Sequence, residues 1–140
     1  MADLTVTASN VVAQTGATKV TGVALVAVTA GEIVYRDPTT KKFGLVDADH
    51  ATEANRTVFG LALNDAAANQ SLVVQTAGSV SFGAILEVGK VYVASDDPGG
   101  IMPVDDVADG DYVTVIGVAE TTSILILGFV ESGVAADDGV

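Results

Sequence analysis

The residues with chemistry to offer are few. The single histidine, His50, lies in Val46-Asp47-Ala48-Asp49-His50. A Ser-His-Asp triad would need it as the base, but the run is polar and joins a hairpin to the next strand, so it reads as exposed loop. No Gly-x-Ser-x-Gly elbow is present. Neither a Gly-x-x-x-x-Gly-Lys-Ser/Thr phosphate cradle nor a strand-following Gly-x-Gly-x-x-Gly occurs. With no cysteine, thiol catalysis, a disulfide framework, zinc fingers and iron–sulfur clusters are excluded. The acidic run Asp105-Asp106-Val107-Ala108-Asp109-Gly110-Asp111 comes nearest to a cation loop. An EF-hand loop wants carboxylates at its first, third and fifth positions and a Glu at the twelfth. Counted from Asp105, the third is Val107 and the twelfth is Ile116, so two ligands fail. The run reads as a turn with solvated carboxylates, with a weak Ca²⁺ or Mg²⁺ site as the sharper alternative. Paired carboxylates for glycoside hydrolysis meet only in three dimensions. Sugar-binding sites also want aromatic platforms, and Phe and Tyr total seven here with no Trp. The expectation is a non-enzymatic chain with no catalytic, cofactor-binding or metal residue and no cofactor.

The elements that would carry any site are strands. Val, Ile and Thr number 44 of 140 residues, and β-branched side chains suit a pleated surface better than a helix. Fifteen glycines punctuate the apolar runs. Strands are expected at 4–13, 20–28, 32–36, 42–46, 58–63, 71–77, 79–86, 90–94, 112–119 and 122–130, with short helical turns at 48–55 and 64–69. Leu4-Thr5-Val6-Thr7 alternates as a half-exposed strand does. Asp37-Pro38-Thr39-Thr40 places Pro where a type I turn wants it, and Asp97-Pro98-Gly99-Gly100 does the same between Val91-Tyr92-Val93 and Ile101-Met102-Pro103.

An internal echo orders these strands. Gly31-Glu32-Ile33-Val34-Tyr35 resembles Gly89-Lys90-Val91-Tyr92-Val93, and Val46-Asp47 then matches Val104-Asp105 at the same offset. Phe59-Gly60-Leu61-Ala62 matches Ile116-Gly117-Val118-Ala119, and Ser71-Leu72-Val73-Val74 matches Ser123-Ile124-Leu125-Ile126. Two copies are too few for a solenoid. A compact β-barrel or sandwich, half from each unit, would bury both apolar faces and remove most sheet edges. The expected all-β organisation is an N-terminal arm or edge strand at 1–19, one β domain at 20–130 with pseudo-repeats at 20–77 and 78–130, and an acidic flexible tail at 131–140. The arm must add to a sheet edge, its own or a neighbour's. Leu4, Val6, Val11 and Val12 are its candidate capsid or subunit contacts.

Charge narrows the partners. Six basic residues face eighteen acids, a formal net of −12. Residues 1–90 hold eight acids and all six bases, whereas 91–140 hold ten acids and no base. Such a balance disfavours nucleic acid and anionic membrane surfaces. The start of the chain lacks the basic and apolar regions of a secretory leader, so synthesis in a cytoplasm without that export route is expected.

The runs Ala30-Gly31-Glu32-Ile33-Val34-Tyr35, Val58-Phe59-Gly60-Leu61-Ala62-Leu63, Gln75-Thr76-Ala77-Gly78, Val88-Gly89-Lys90-Val91-Tyr92-Val93 and Ile116-Gly117-Val118-Ala119 resemble those of tailed-bacteriophage capsid decoration, or cement, proteins. The resemblance spans roughly residues 20–130. It implies a small β-rich protein on the outer capsid surface of a virion, bound to the major capsid protein as a homotrimer at three-fold positions and stabilising the shell. It brings no catalytic residue. Another virion component, such as a head-fibre base or tail protein, and a small carbohydrate-binding module are the alternatives.

Overall fold

A computed structural model describes residues 3–135 of the chain. Among them the fold is all-β, with helix limited to 3-10 turns at Ala8–Asn10, Glu53–Arg56 and Val104–Asp106. The strands are β1 (Val12–Ala13), β2 (Thr18–Val23), β3 (Ile33–Arg36), β4 (Phe43–Leu45), β5 (Gly60–Ala62), β6 (Ser71–Ser81), β7 (Val91–Ala94), β8 (Ile101–Pro103), β9 (Tyr112–Ala119) and β10 (Ile124–Ala135). Eight of them form one strongly curled antiparallel half-barrel in the order β4-β3-β5-β6-β10-β9-β7-β8, and β1 and β2 add to β6.

The strand order makes the echo a structural fact. Replacing each of β3, β4, β5 and β6 by β7, β8, β9 and β10 turns the order into its own reverse. The registers agree as well. Val34 faces Leu45 as Tyr92 faces Pro103, and Ile33 faces Leu61 as Val91 faces Val118. The last pair of elements departs from the sequence match. Ala62 faces Val74 and its counterpart Ala119 faces Leu125, so Val74 corresponds to Leu125 and not to Ile126. Burial agrees, because Val74 and Leu125 are both fully buried while Ile126 is exposed. A one-residue slip in a strand exchanges its faces, and a run apolar on both faces does not reveal it.

Both expected hairpins form, with different turns. At the first, Asp37 Oδ1 accepts the amides of Thr39 (2.8 Å) and Thr40 (2.9 Å). These bonds favour the charged carboxylate and hold its pKa below the ordinary value, the Thr40 amide contributing most. At the second, the Gly100 amide donates to Asp97 O at 2.9 Å, with Gly99 at φ +80°. A left-handed residue in that place makes the turn type II rather than type I.

Several expected boundaries move. The strand at 4–13 is an extended arm broken by the first 3-10 turn, with ladder pairing only at β1. The strand at 20–28 ends at Val23, after which Ala24 and Val28 make isolated bridges to Phe43 and Ala66. The strands expected at 71–77 and 79–86 merge into one strand, β6, which stops at Ser81 and runs through the boundary between the repeats at 77 and 78. Gly78 does not stop it but bends it at φ +96°, and Gln75 Nε2 clasps the carbonyls of Ala77 (3.2 Å) and Ser79 (2.9 Å) on either side. The turn at 64–69 is not helical, because Ala66 is taken by the bridge to Val28. The acidic tail drawn at 131–140 is corrected in its first part: 131–135 belong to β10, with Glu131 opposite Thr114 and Ala135 opposite Tyr112. Residues 136–140 lie outside the described residues.

Two apolar clusters hold the sheet. The larger joins both halves through Ile33, Leu61, Phe82, Tyr92, Ile116 and Leu125. The smaller covers the other face of the first half, where Ala24 and Val28 pack on Val34, Phe43, Ala62 and Val74. In the second half Val93 and Met102 are buried on that face of β7 and β8, but β9 and β10 are open there. The cross-strand neighbours Val118 and Ile126 are 41% and 44% exposed.

Candidate functional site

The N-terminal arm lies on its own barrel. The Leu4 amide donates to Ile101 O at 2.8 Å, which covers the outer edge of β8. The Leu25 amide donates to Phe43 O at 2.7 Å and covers β4 at the opposite end of the sheet. One N-terminal stretch thus closes both ends of the curl, places where bare strands invite pairing with other chains. Val6 and Val11 settle over Gly31, where a Cβ would come within 2.6 Å of Val6 Cγ1 and 3.0 Å of Val11 Cγ2. Of the four expected contact residues, Leu4 and Val6 are half-buried against the larger cluster, Val11 is part of it, and Val12 is 54% exposed.

Beside the arm the protein gathers carboxylates. Ser95, fully buried, donates its hydroxyl to both oxygens of Asp3 (2.7 and 2.9 Å) and accepts the Asp97 amide at 3.0 Å. Backbone bonds from Ala48 N to Ser95 O (3.0 Å) and from Tyr112 N to Ala48 O (2.9 Å) tie three loops together. Those loops bring one carboxylate oxygen each from Asp49, Asp96 and Asp111 within 4.8 Å of one another. Asp111 is only 3% exposed and accepts the Ala108 amide at 3.2 Å.

The electrostatics follow from that crowding. Burial raises the Asp111 pKa, and Asp96 and Asp49 add to the rise. Burial likewise raises Asp3, with Asp97 and Asp96 contributing, and lifts Asp47 to about 6, with Asp49 beside it. The Arg56 side chain is engaged elsewhere. The Arg56 guanidinium stacks 3.6 Å from the Tyr112 ring centre and donates to the His50 and Ala51 carbonyls. The cluster could take protons, or serve as part of the shell of a hard cation. Ca²⁺ takes six to eight oxygens, and three carboxylates supply a minority of that.

The residues singled out in the sequence land elsewhere. His50 Nδ1 accepts the Thr52 amide at 3.0 Å within its own turn. Of the 105–111 run only Asp111 enters the cluster, while Asp105 accepts a hydrogen bond from Lys90 Nζ. The sequence does not group Asp49 and Asp96 with Asp111, because the three carboxylates are far apart in the chain. Each follows or precedes a strand of the echo, and that placement is the signal which could have grouped them. Surface hollows are of modest size. The one beside the arm, about 330 Å³, is lined by Asp3, Glu32 and Asp97 together with backbone of the 97–100 turn.

No protein-family model matches this chain, and no curated protein matches it.

Proposed function

We propose that this chain is a structural virion protein that binds the outer surface of a tailed-phage capsid and stabilises it, as a homotrimer at three-fold positions against the major capsid protein. The observation that carries the reading is the doubled unit. The strand-and-glycine runs that resemble decoration proteins are the runs that build the two halves, and Gly60 and Gly117 occupy matching places in them. A Cβ on Gly60 would fall 2.6 Å from Gln75 O, and one on Gly117 would fall 2.2 Å from Ile126 O. The motif glycines therefore permit close strand approach.

The surface supports a binding role. Exposed Val12, Val88, Val118, Ile126, Val130 and Val134 offer apolar contacts that the monomer leaves unused. Weak contacts repeated over a lattice add up by multivalency, and a protein that binds only the assembled shell stabilises it by mass action. The acidic balance keeps such a protein off nucleic acid and anionic membranes. The test is to mix purified protein with bare heads and locate it by cryo-electron microscopy. Density at three-fold positions with raised shell stability is expected; heads that stay bare at saturating protein would refute the reading.

A further inference from the structure

We infer that copies of this chain join edge to edge, with β2 of one copy pairing in antiparallel fashion with the C-terminal part of β10 of the next. The inference rests on the self-assembly named above and not on the capsid.

Both strands are half-used. β2 pairs with β6 along one side only, and its residues are exposed throughout except Gly22. β10 pairs with β6 through residues 124–127, but from 128 onward it keeps only β9. Among the described residues no backbone hydrogen bond fills the second side of either segment, and the two do not pair within the chain. An open strand side presents alternate N–H and C=O groups that a second strand satisfies. The fold covers β8 with Leu4 of the arm and β4 with Leu25 just after β2, so these two sides stand out as uncovered.

Charge selects the occupant. β2 reads Thr-Lys-Val-Thr-Gly-Val, with Lys19 its sole charge, and the open part of β10 carries Glu131 as its sole charge. Among the described residues the ion pairs all belong to Lys90, so neither Lys19 nor Glu131 has one. Pairing β2 with β2, or β10 with β10, would bring like charges together. Pairing β2 with β10 sets Lys19 opposite Glu131, and the antiparallel register then sets Val20 opposite Val130, two valines that are 38% and 62% exposed. In a molecule of net charge −12, an open strand side whose single charge is basic is a docking point for an acidic one. Such a contact joins unlike surfaces, and it closes into a ring when the rotation allows.

The absence of cysteine makes the test clean. In the same register Thr18 faces Ser132. Thr18→Cys and Ser132→Cys full-length variants, mixed and oxidised, are expected to give a cross-linked pair, while neither links to itself. A chain carrying both is expected to link into a ring of three. Sedimentation of Lys19→Glu or Glu131→Lys is expected to show association weakened about tenfold, with recovery in the doubly reversed chain. Self-linking by either single variant, no recovery in the double reversal, or a monomer at every concentration would overturn the pairing. A monomer that still binds heads would overturn the pairing alone. An edge-linked ring that ignores heads would overturn the capsid reading alone.

Discussion

Asp47 shows how the acidic end of the barrel stores unfavourable free energy. Its folded pKa is raised from 3.8 to about 6, chiefly by burial. The folded state therefore binds more protons than the unfolded chain across that window. Stability from this group is fullest below the lower value and is lost as pH rises through the upper one. Asp47→Asn keeps an oxygen to accept the Asp49 amide (3.2 Å) and removes the charge. It is expected to stabilise the protein by about 1 kcal/mol at pH 7, the figure being discounted for partial solvation. Chemical denaturation at both ends of the window checks the sign, since the gain should vanish at about pH 4; an equal gain at both would show that charge is not the cause. Ser95 works in the other direction. Its buried hydroxyl links the arm's Asp3 to the 95–100 turn, and Ser95→Ala is expected to cost about 1–2 kcal/mol. Faster hydrogen exchange at the Leu4 amide would mark the loss as a loosened arm; unchanged exchange there would disconnect Ser95 from it.

Among the elements, the glycine-bearing strands offer a test of the duplication. Gly60→Ala and Gly117→Ala each push a methyl into the neighbouring strand, in the first case 2.3 Å from Val74 Cγ1 as well as near backbone. Both are expected to destabilise by about 1–3 kcal/mol, read by denaturant midpoint; a neutral result at one would mean that the two halves are not equivalent there. The arm is a second test. Leu4, Val6 and Val11 pack against the larger cluster, so deleting residues 1–11 is expected to cost about 3 kcal/mol or more on area grounds. A truncated protein as stable as the parent would mean the arm is only laid on the surface. Much of this level was legible in the chain: both hairpins, β9, and the offset that maps β3, β4 and β5 onto β7, β8 and β9. What was not legible has physical causes. The alternation of Leu4-Thr5-Val6-Thr7 is met by an extended chain whose apolar side lies on a core, with no need of a ladder. Gly78 reads as a break, yet the Gln75 amide holds the strand through it. Val73-Val74 and Leu125-Ile126 are apolar at every position, so their true correspondence depends on burial that composition does not encode. The carboxylate cluster belongs to the tertiary fold alone, because its members meet only when three loops are tied together.

For the whole molecule, the charge and the shape point the same way. A net of −12 resists compaction and non-specific association alike. Added salt is therefore expected to raise the melting temperature of the isolated protein, most at pH 7 and less near pH 4; a flat salt response at pH 7 would remove self-repulsion as a term. The curled sheet exposes valines and half-used strands, the features on which the proposed binding role rests. The resemblance that suggests a capsid partner rests on the strands of the doubled unit, so binding is the property to measure. The most direct measurement is saturation binding of the full-length protein to purified bare heads, followed by three-dimensional reconstruction. Ordered density at the three-fold positions, with the Val118 and Ile126 face or the arm region against the shell, is the predicted result. A protein that sediments apart from intact heads at every concentration would contradict it.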